Sequence, residues 1–129
     1  MEIGRVEDSQ GEPPGEWPQH FEGEAKLQRV PSPFREGPAV FAVHFQPGGR
    51  TKPHAHRSGQ LLYIVSGRGI VGDESGRREV GPGDVVAARA GEWHWHGAAA
   101  DSPMTHLTVQ VSGDAVDWDV EEKDWADGH

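Results

Sequence analysis

Cysteine is absent from the 129 residues, which excludes disulfides, thiolate metal ligands and cysteine nucleophiles. Basic residues are scarce: 12 Lys and Arg stand against 21 Asp and Glu, a net charge of −9. No Lys/Arg stripe is available to neutralise phosphates, which argues against nucleic acid or an anionic membrane surface as partner. No stretch approaches the roughly 18 consecutive apolar residues of a membrane span. Residues 1–18 are acidic and rich in Gly and Pro, without the apolar centre of a secretory signal, so a cytoplasmic protein is expected. Heptads and internal repeats are also missing. What is abundant is punctuation: 18 glycines and 10 prolines in a chain only 34% hydrophobic point to many short turns, few long helices and an all-β fold. The length suits one compact domain.

Alternation places the strands. Phe21, Gly23, Ala25 and Leu27 share one face and Glu22, Glu24 and Lys26 the other, predicting an edge strand over Phe21–Leu27. Beyond a proline-marked loop, Val40–Phe45 puts Phe41, Val43 and Phe45 on one face and His44 on the other. The pattern restarts at Gln60–Ser66, Gly69–Gly72, Arg77–Val80, Val85–Ala88, Trp93–Gly97 and Met104–Val111, with a hairpin tip at Asp73-Glu74-Ser75-Gly76. Eight short strands with turns between them mark an antiparallel sandwich or barrel. The expected organisation is an N-terminal arm over 1–20, anchored by Ile3, Val6 and Trp17, a barrel over 21–112, and an acidic segment over 113–129. Val116, Trp118, Val120 and Trp125 of that last segment are placed to close one barrel end.

The histidines are informative by placement. His54 and His56 stand two apart, on the same face of a strand, with Gln60 four residues on and His94 in a later strand. Imidazoles from one strand and its neighbour can converge on a point about 2 Å from each, the geometry of a first-row metal site. His20, His44 and His129 read as surface residues. Trp93 and Trp95 alternate with the later histidines and face away from that point, towards sheet packing.

These residues resemble the cupins, double-stranded β-helix (jelly-roll) barrels that hold a metal inside. The first cupin motif is matched by Gly48, His54, His56, Gln60 and Gly67, with Gln where Glu is usual. The second is matched by Gly83, Gly91 and His94, with Arg89 and Ala98 at its usual Pro and Asn. More narrowly, Gly83–Val86, Gly91–Ala99, Met104–Leu107, the opening Met1–Val6 and Ala115–Trp118 resemble the small manganese-dependent cupin hydroxynitrile lyases. The resemblance implies a single divalent metal on His54, His56, Gln60 and His94, with manganese first and iron, zinc or nickel as alternatives. It also implies a homodimer, in which the Phe21–Leu27 strand adds to the partner's sheet edge.

A neutral Gln60 in place of a carboxylate leaves a divalent ion its full charge, making a stronger Lewis acid that favours a bound anion. The usual ferrous dioxygen site has two His and a carboxylate, which this set lacks. On Met104–Val111, His106, Thr108 and Gln110 share the face expected to look into the barrel. Partly desolvated, His106 would be neutral near pH 7 and able to accept a proton. The expected chemistry is therefore cyanohydrin cleavage of a small carbonyl-derived substrate, with His106 as base, Gln110 orienting the leaving cyanide and His96 supporting the site through hydrogen bonds. Phe41, Val43, Leu62 and Ile64 are expected to line the pocket. The alternatives are an oxygenase or isomerase on the same scaffold, or a non-catalytic module that binds metal and a small ligand.

Overall fold

The computed structural model describes residues 1–15 and 18–120, so Trp17, Trp125 and His129 lie outside the described residues. Two 3-10 turns, Asp8–Gln10 and Pro18–His20, precede or flank the strands. One five-stranded sheet runs in the order β1 (Phe21–Glu22), β4 (Arg50–Thr51), β10 (His94–Ala98), β7 (Gly69–Asp73), β8 (Gly76–Val80). The second runs β2 (Ala25–Arg29), β3 (Pro38–Phe45), β11 (Met104–Val111), β6 (Gln60–Gly67), β9 (Val85–Ala88), and a short pair joins β12 (Val116–Asp117) to β5 (Ala55–His56). Every pairing is antiparallel and most neighbours are non-consecutive in sequence, the double-sheet jelly roll the sequence predicts. No helix among the described residues is long and apolar enough to cross a membrane.

Alternation explains what each strand buries. Along β6, Gln60, Leu62 and Ile64 turn inward while Leu61 and Tyr63 stay exposed. Along β3, Val43 and Phe45 turn inward and join Ala25, Ile64, Ala98 and Met104 in the core, with Phe41 packed against it. Of the four residues expected to line the pocket, Val43 and Ile64 lie in this core cluster, Phe41 packs against it, and Leu62 is buried at 1% exposure.

Three differences from the sequence reading have local causes. The strand expected over Phe21–Leu27 is split, because Gly23 takes a positive φ of 70° where the chain passes Gly49. β1 therefore enters one sheet and β2 the other, and no continuous edge spans 21–27. The edge of β2 is in addition occupied at Leu27, which exchanges backbone hydrogen bonds with Glu12 of the arm at 2.9 and 2.8 Å.

His44, read as a surface residue, is buried at 2% exposure. It does point away from the core, but the arm lies over it: its ring nitrogens bond Thr105 Oγ1 and Gln28 Oε1, each at 2.8 Å. Gln28 in turn accepts from Glu7 N and donates to Arg5 O at 2.6 Å, so the arm is tied down at a position that parity alone calls outward. His20 is half-buried rather than on the surface, its ring stacked on Trp118.

Candidate metal centre

His54 lies between β4 and β5, and His94 opens β10. Backbone hydrogen bonds in both directions, 2.9 and 3.0 Å, join the two residues and bring their side chains side by side. His56 projects from β5 two residues on. One ring nitrogen from each of the three lies within 4.8 Å of the others, and all three residues are buried. Gln60 reaches them because the chain reverses at Gly59, whose φ of 91° and close approach to Ala88 O favour glycine.

The hydrogen bonds prepare these groups as ligands. His54 donates Nδ1–H to Lys52 O at 2.8 Å and His94 donates Nδ1–H to Glu92 O at 2.9 Å, which leaves the Nε2 lone pair of each free. Gln60 donates through Nε2 to Gln110 Oε1 at 3.2 Å, so its Oε1 turns to His94 Nε2 at 3.1 Å. Two lone-pair atoms thus confront each other. A separation of about 3 Å is what two donors at right angles, roughly 2.1 Å from one ion, would show. Both ring nitrogens of His56 are buried without a hydrogen-bond partner among the described residues, an arrangement costly for a polar group unless a cation takes it. The donor set therefore fits a divalent metal, which His54, His56 and His94 could hold with Gln60 as a fourth donor.

Behind this cluster lies a second group of imidazoles. His96 of β10 has its ring centroid 5.4 Å from that of His54 and 5.8 Å from that of His94. Its Nδ1 is 3.0 Å from His106 Nε2, and His106 Nδ1 is 3.2 Å from Thr108 Oγ1. His96 Nε2 is buried without a partner among the described residues. Phe45 covers both rings, at 6.1 and 5.6 Å between centroids.

Burial holds all these imidazoles neutral. Desolvation, then the neighbouring His94, pushes His54 well below the ordinary histidine range and His56 down to about 4. Desolvation lowers His94 as well, and it lowers His106 to about 3. His96 is pushed well below 6.5 by burial first and by His106 next. Neutral imidazole is the ligating and the proton-accepting form.

Gln60 and Gln110 also border an open cleft of about 830 Å³, whose walls include Pro38, Leu61, Val109 and Val111 and whose rim carries Arg35 and Arg89. The structure thus brings His54, His56, Gln60 and His94 into one cluster and His96, His106 and Thr108 into an adjoining chain, with Gln110 bracing Gln60. Trp95 faces the other way, fully buried against Gly72. Sequence reasoning passed over Trp118 as part of this site. Its ring centroid lies 4.4 Å from that of His54, and only the pairing of β12 with β5 puts it there.

Comparison with known proteins bears on this geometry. Residues 41–110 match the family model for the cupin domain. The chain is 42% identical over 125 residues to the (R)-mandelonitrile lyase of Granulicella tundricola, covering 92% of each chain. Among solved structures, a cupin-like protein from Thermotoga maritima superposes with a TM-score of 0.75 at 27% identity, over 86% of this chain and 89% of that one. The polyketide cyclase RemF from Streptomyces resistomycificus gives the same TM-score at 18% identity, over 95% and 89%, which speaks to fold alone.

Proposed function

Because this chain belongs to the cupin family, we propose that it is a metal-dependent lyase that cleaves a small cyanohydrin to a carbonyl compound and hydrogen cyanide. The observation that carries the reading is His96 Nε2: neutral, buried, unpartnered and beside the three-histidine cluster. The relative named as a mandelonitrile lyase supports the substrate class. A divalent metal, manganese first, would supply Lewis-acid charge for an oxygen or cyanide ligand when bound to His54, His56, His94 and Gln60.

The remaining work falls to side chains. His96 Nε2 takes the substrate hydroxyl proton, the oxygen electrons become the carbonyl double bond, and the C–C electron pair leaves with cyanide. The proton then passes from His96 to cyanide, so atoms and charge balance. The proposed base takes the tautomer in which His96 Nδ1–H donates to His106 Nε2 and His106 Nδ1–H donates to Thr108 Oγ1, contacts of 3.0 and 3.2 Å, because that tautomer leaves the His96 Nε2 lone pair open. The geometry thus favours His96 as the base, with His106, the base expected from sequence, as its positioning partner. Gln110 acts by turning Gln60 Oε1 towards His94. Among the described residues no carboxylate joins the histidine cluster, which fits dioxygen activation less well than this chemistry. A homodimer in the cytoplasm belongs to the same reading, the assembly being checked by sedimentation.

The test measures metal by elemental mass spectrometry and mandelonitrile cleavage on the same sample, for wild type, His54→Ala and His96→Ala. Expected are near-stoichiometric metal lost in His54→Ala, and metal retained in His96→Ala with turnover reduced at least about 100-fold. Metal-loaded wild type without cleavage overturns the lyase. Unchanged turnover in His96→Ala overturns the assigned base.

A further inference from the structure

We propose that Trp118 is a positioning residue of the metal centre, and that residues 114–118, which carry it, are part of that centre. The inference rests on the metal reading of the histidine cluster. Trp118 touches two imidazoles: its ring stacks on His20 at 3.9 Å and 11° and leans on His54 at 4.4 Å and 33°. His54 is 2% exposed, so the indole is part of what keeps water from a ligand whose Nε2 must stay available. A flat π-surface against one face of an imidazole restricts ring rotation without competing for its nitrogens, which a hydrogen-bonding neighbour would do.

The segment is fastened to the ligand strand itself. Asp114 accepts from Ser58 N through Oδ2 at 3.0 Å, and Ala115 O accepts from Arg57 N at 2.9 Å. Val116 pairs with His56 and Asp117 with Ala55. Each of these contacts flanks a ligand: Arg57 and Ser58 lie between His56 and Gln60, and Ala55 lies between His54 and His56. His20, the other ring in contact with Trp118, connects to the same ligand through Lys52. His20 O accepts from Lys52 N at 2.8 Å, and Lys52 O accepts from His54 Nδ1 at 2.8 Å. His54 is thus held through its Nδ1 by Lys52 and across its face by Trp118, and His20 touches both restraints. A residue needed only to fill apolar space would not require this: Trp118 is half-buried and stays outside the hydrophobic core.

The experiment compares full-length wild type, Trp118→Leu, Trp118→Phe and His20→Ala. Dissociation constants for Mn2+ and Co2+ are measured by chelator competition, with the visible Co2+ spectrum as a reporter of ligand geometry and the melting temperature of each metal-free protein as a folding control. Outer groups that orient a ligand are typically worth about 10–100-fold in metal affinity. Trp118→Leu should fall in that range and change the Co2+ spectrum while melting near wild type. Trp118→Phe, which restores a π-surface, should recover affinity and spectrum. His20→Ala should weaken binding by a smaller factor, and it decides the matter if Trp118→Leu does not fold. Wild-type affinity and spectrum in Trp118→Leu overturn the proposal while leaving the metal site intact. A wild-type protein that binds neither ion overturns both.

Discussion

Acidification of the metal-free protein should unfold it well above the pH at which its carboxylates titrate. His56 titrates near pH 4 and His106 near pH 3 in the folded chain, because burial disfavours the charged ring. In the unfolded chain both return to about 6.5. Below 6.5 the unfolded state therefore binds protons that the folded state refuses, and stability falls with pH. The contribution of each group is complete above about 6.5, declines by about 1.4 kcal/mol per pH unit below it, and stops declining once the folded group also protonates. At pH 5 each of the two costs about 2 kcal/mol relative to pH 8, or about 4 kcal/mol together. Against a typical total of about 5–15 kcal/mol that is a large fraction, and His54, His94 and His96 shift in the same direction. Urea unfolding of metal-stripped protein between pH 8 and pH 4.5, followed by circular dichroism, reads the slope directly. His106→Asn should flatten it by about one proton's worth over the same interval. A free energy of unfolding that stays level from pH 6.5 to 4.5 would refute the argument, as would equal slopes in wild type and His106→Asn.

Two further perturbations test separate links. Gly72→Ala places a Cβ against the indole of Trp95, its partner in the β10–β7 pairing, so overpacking should cost about 1–3 kcal/mol. Thermal unfolding checks this, and an unchanged melting temperature would mean that the indole has room to move. Gln60→Glu puts a carboxylate beside His94 Nε2 and removes the donor to Gln110 Oε1. It should tighten divalent-metal binding while lowering cleavage, because the added charge offsets the ion's own, and chelator titration beside a turnover assay separates the two effects.

The strands that were legible in sequence are those with enough residues to alternate. Gln60–Ser66 and Met104–Val111 are long enough to show two faces, and the burial follows them over Gln60–Ile64 and, beyond the register shift at Thr105/His106, over His106–Val109. β4, β5 and β12 have two residues each, too few for any period, and they exist because tertiary pairing completes their hydrogen bonds. Gly23 reads as one more position on a strand face. Only its approach to Gly49 makes it the point where the chain changes sheet. His44 shows that parity gives direction and not exposure, since whether an outward residue meets water depends on what crosses over it, here the arm at Arg5 and Glu7.

The same division runs through the candidate site. His54 and His56 were readable as a pair from their two-residue spacing, and Gln60 and His94 from the cupin motifs that the chain resembles; a metal demands that several donors share one point, and it is the turns between β4, β5 and β6 and the pairing with β10 that bring them there. The order of His96 and His106 was not readable. They lie on strands of opposite sheets, and which ring meets the cluster depends on how those sheets pack. Trp118 was further from reach, because its place on His54 depends on a contact between segments more than sixty residues apart. The sequence by itself determined the all-β class and the long strands, consequences of local periodicity, and through the spacing of its cupin-like motifs the set of imidazoles that could meet. Only the tertiary structure decided which imidazole keeps an unpartnered nitrogen and which rings hold the ligands in place, because both depend on distances between chain segments that no local pattern encodes.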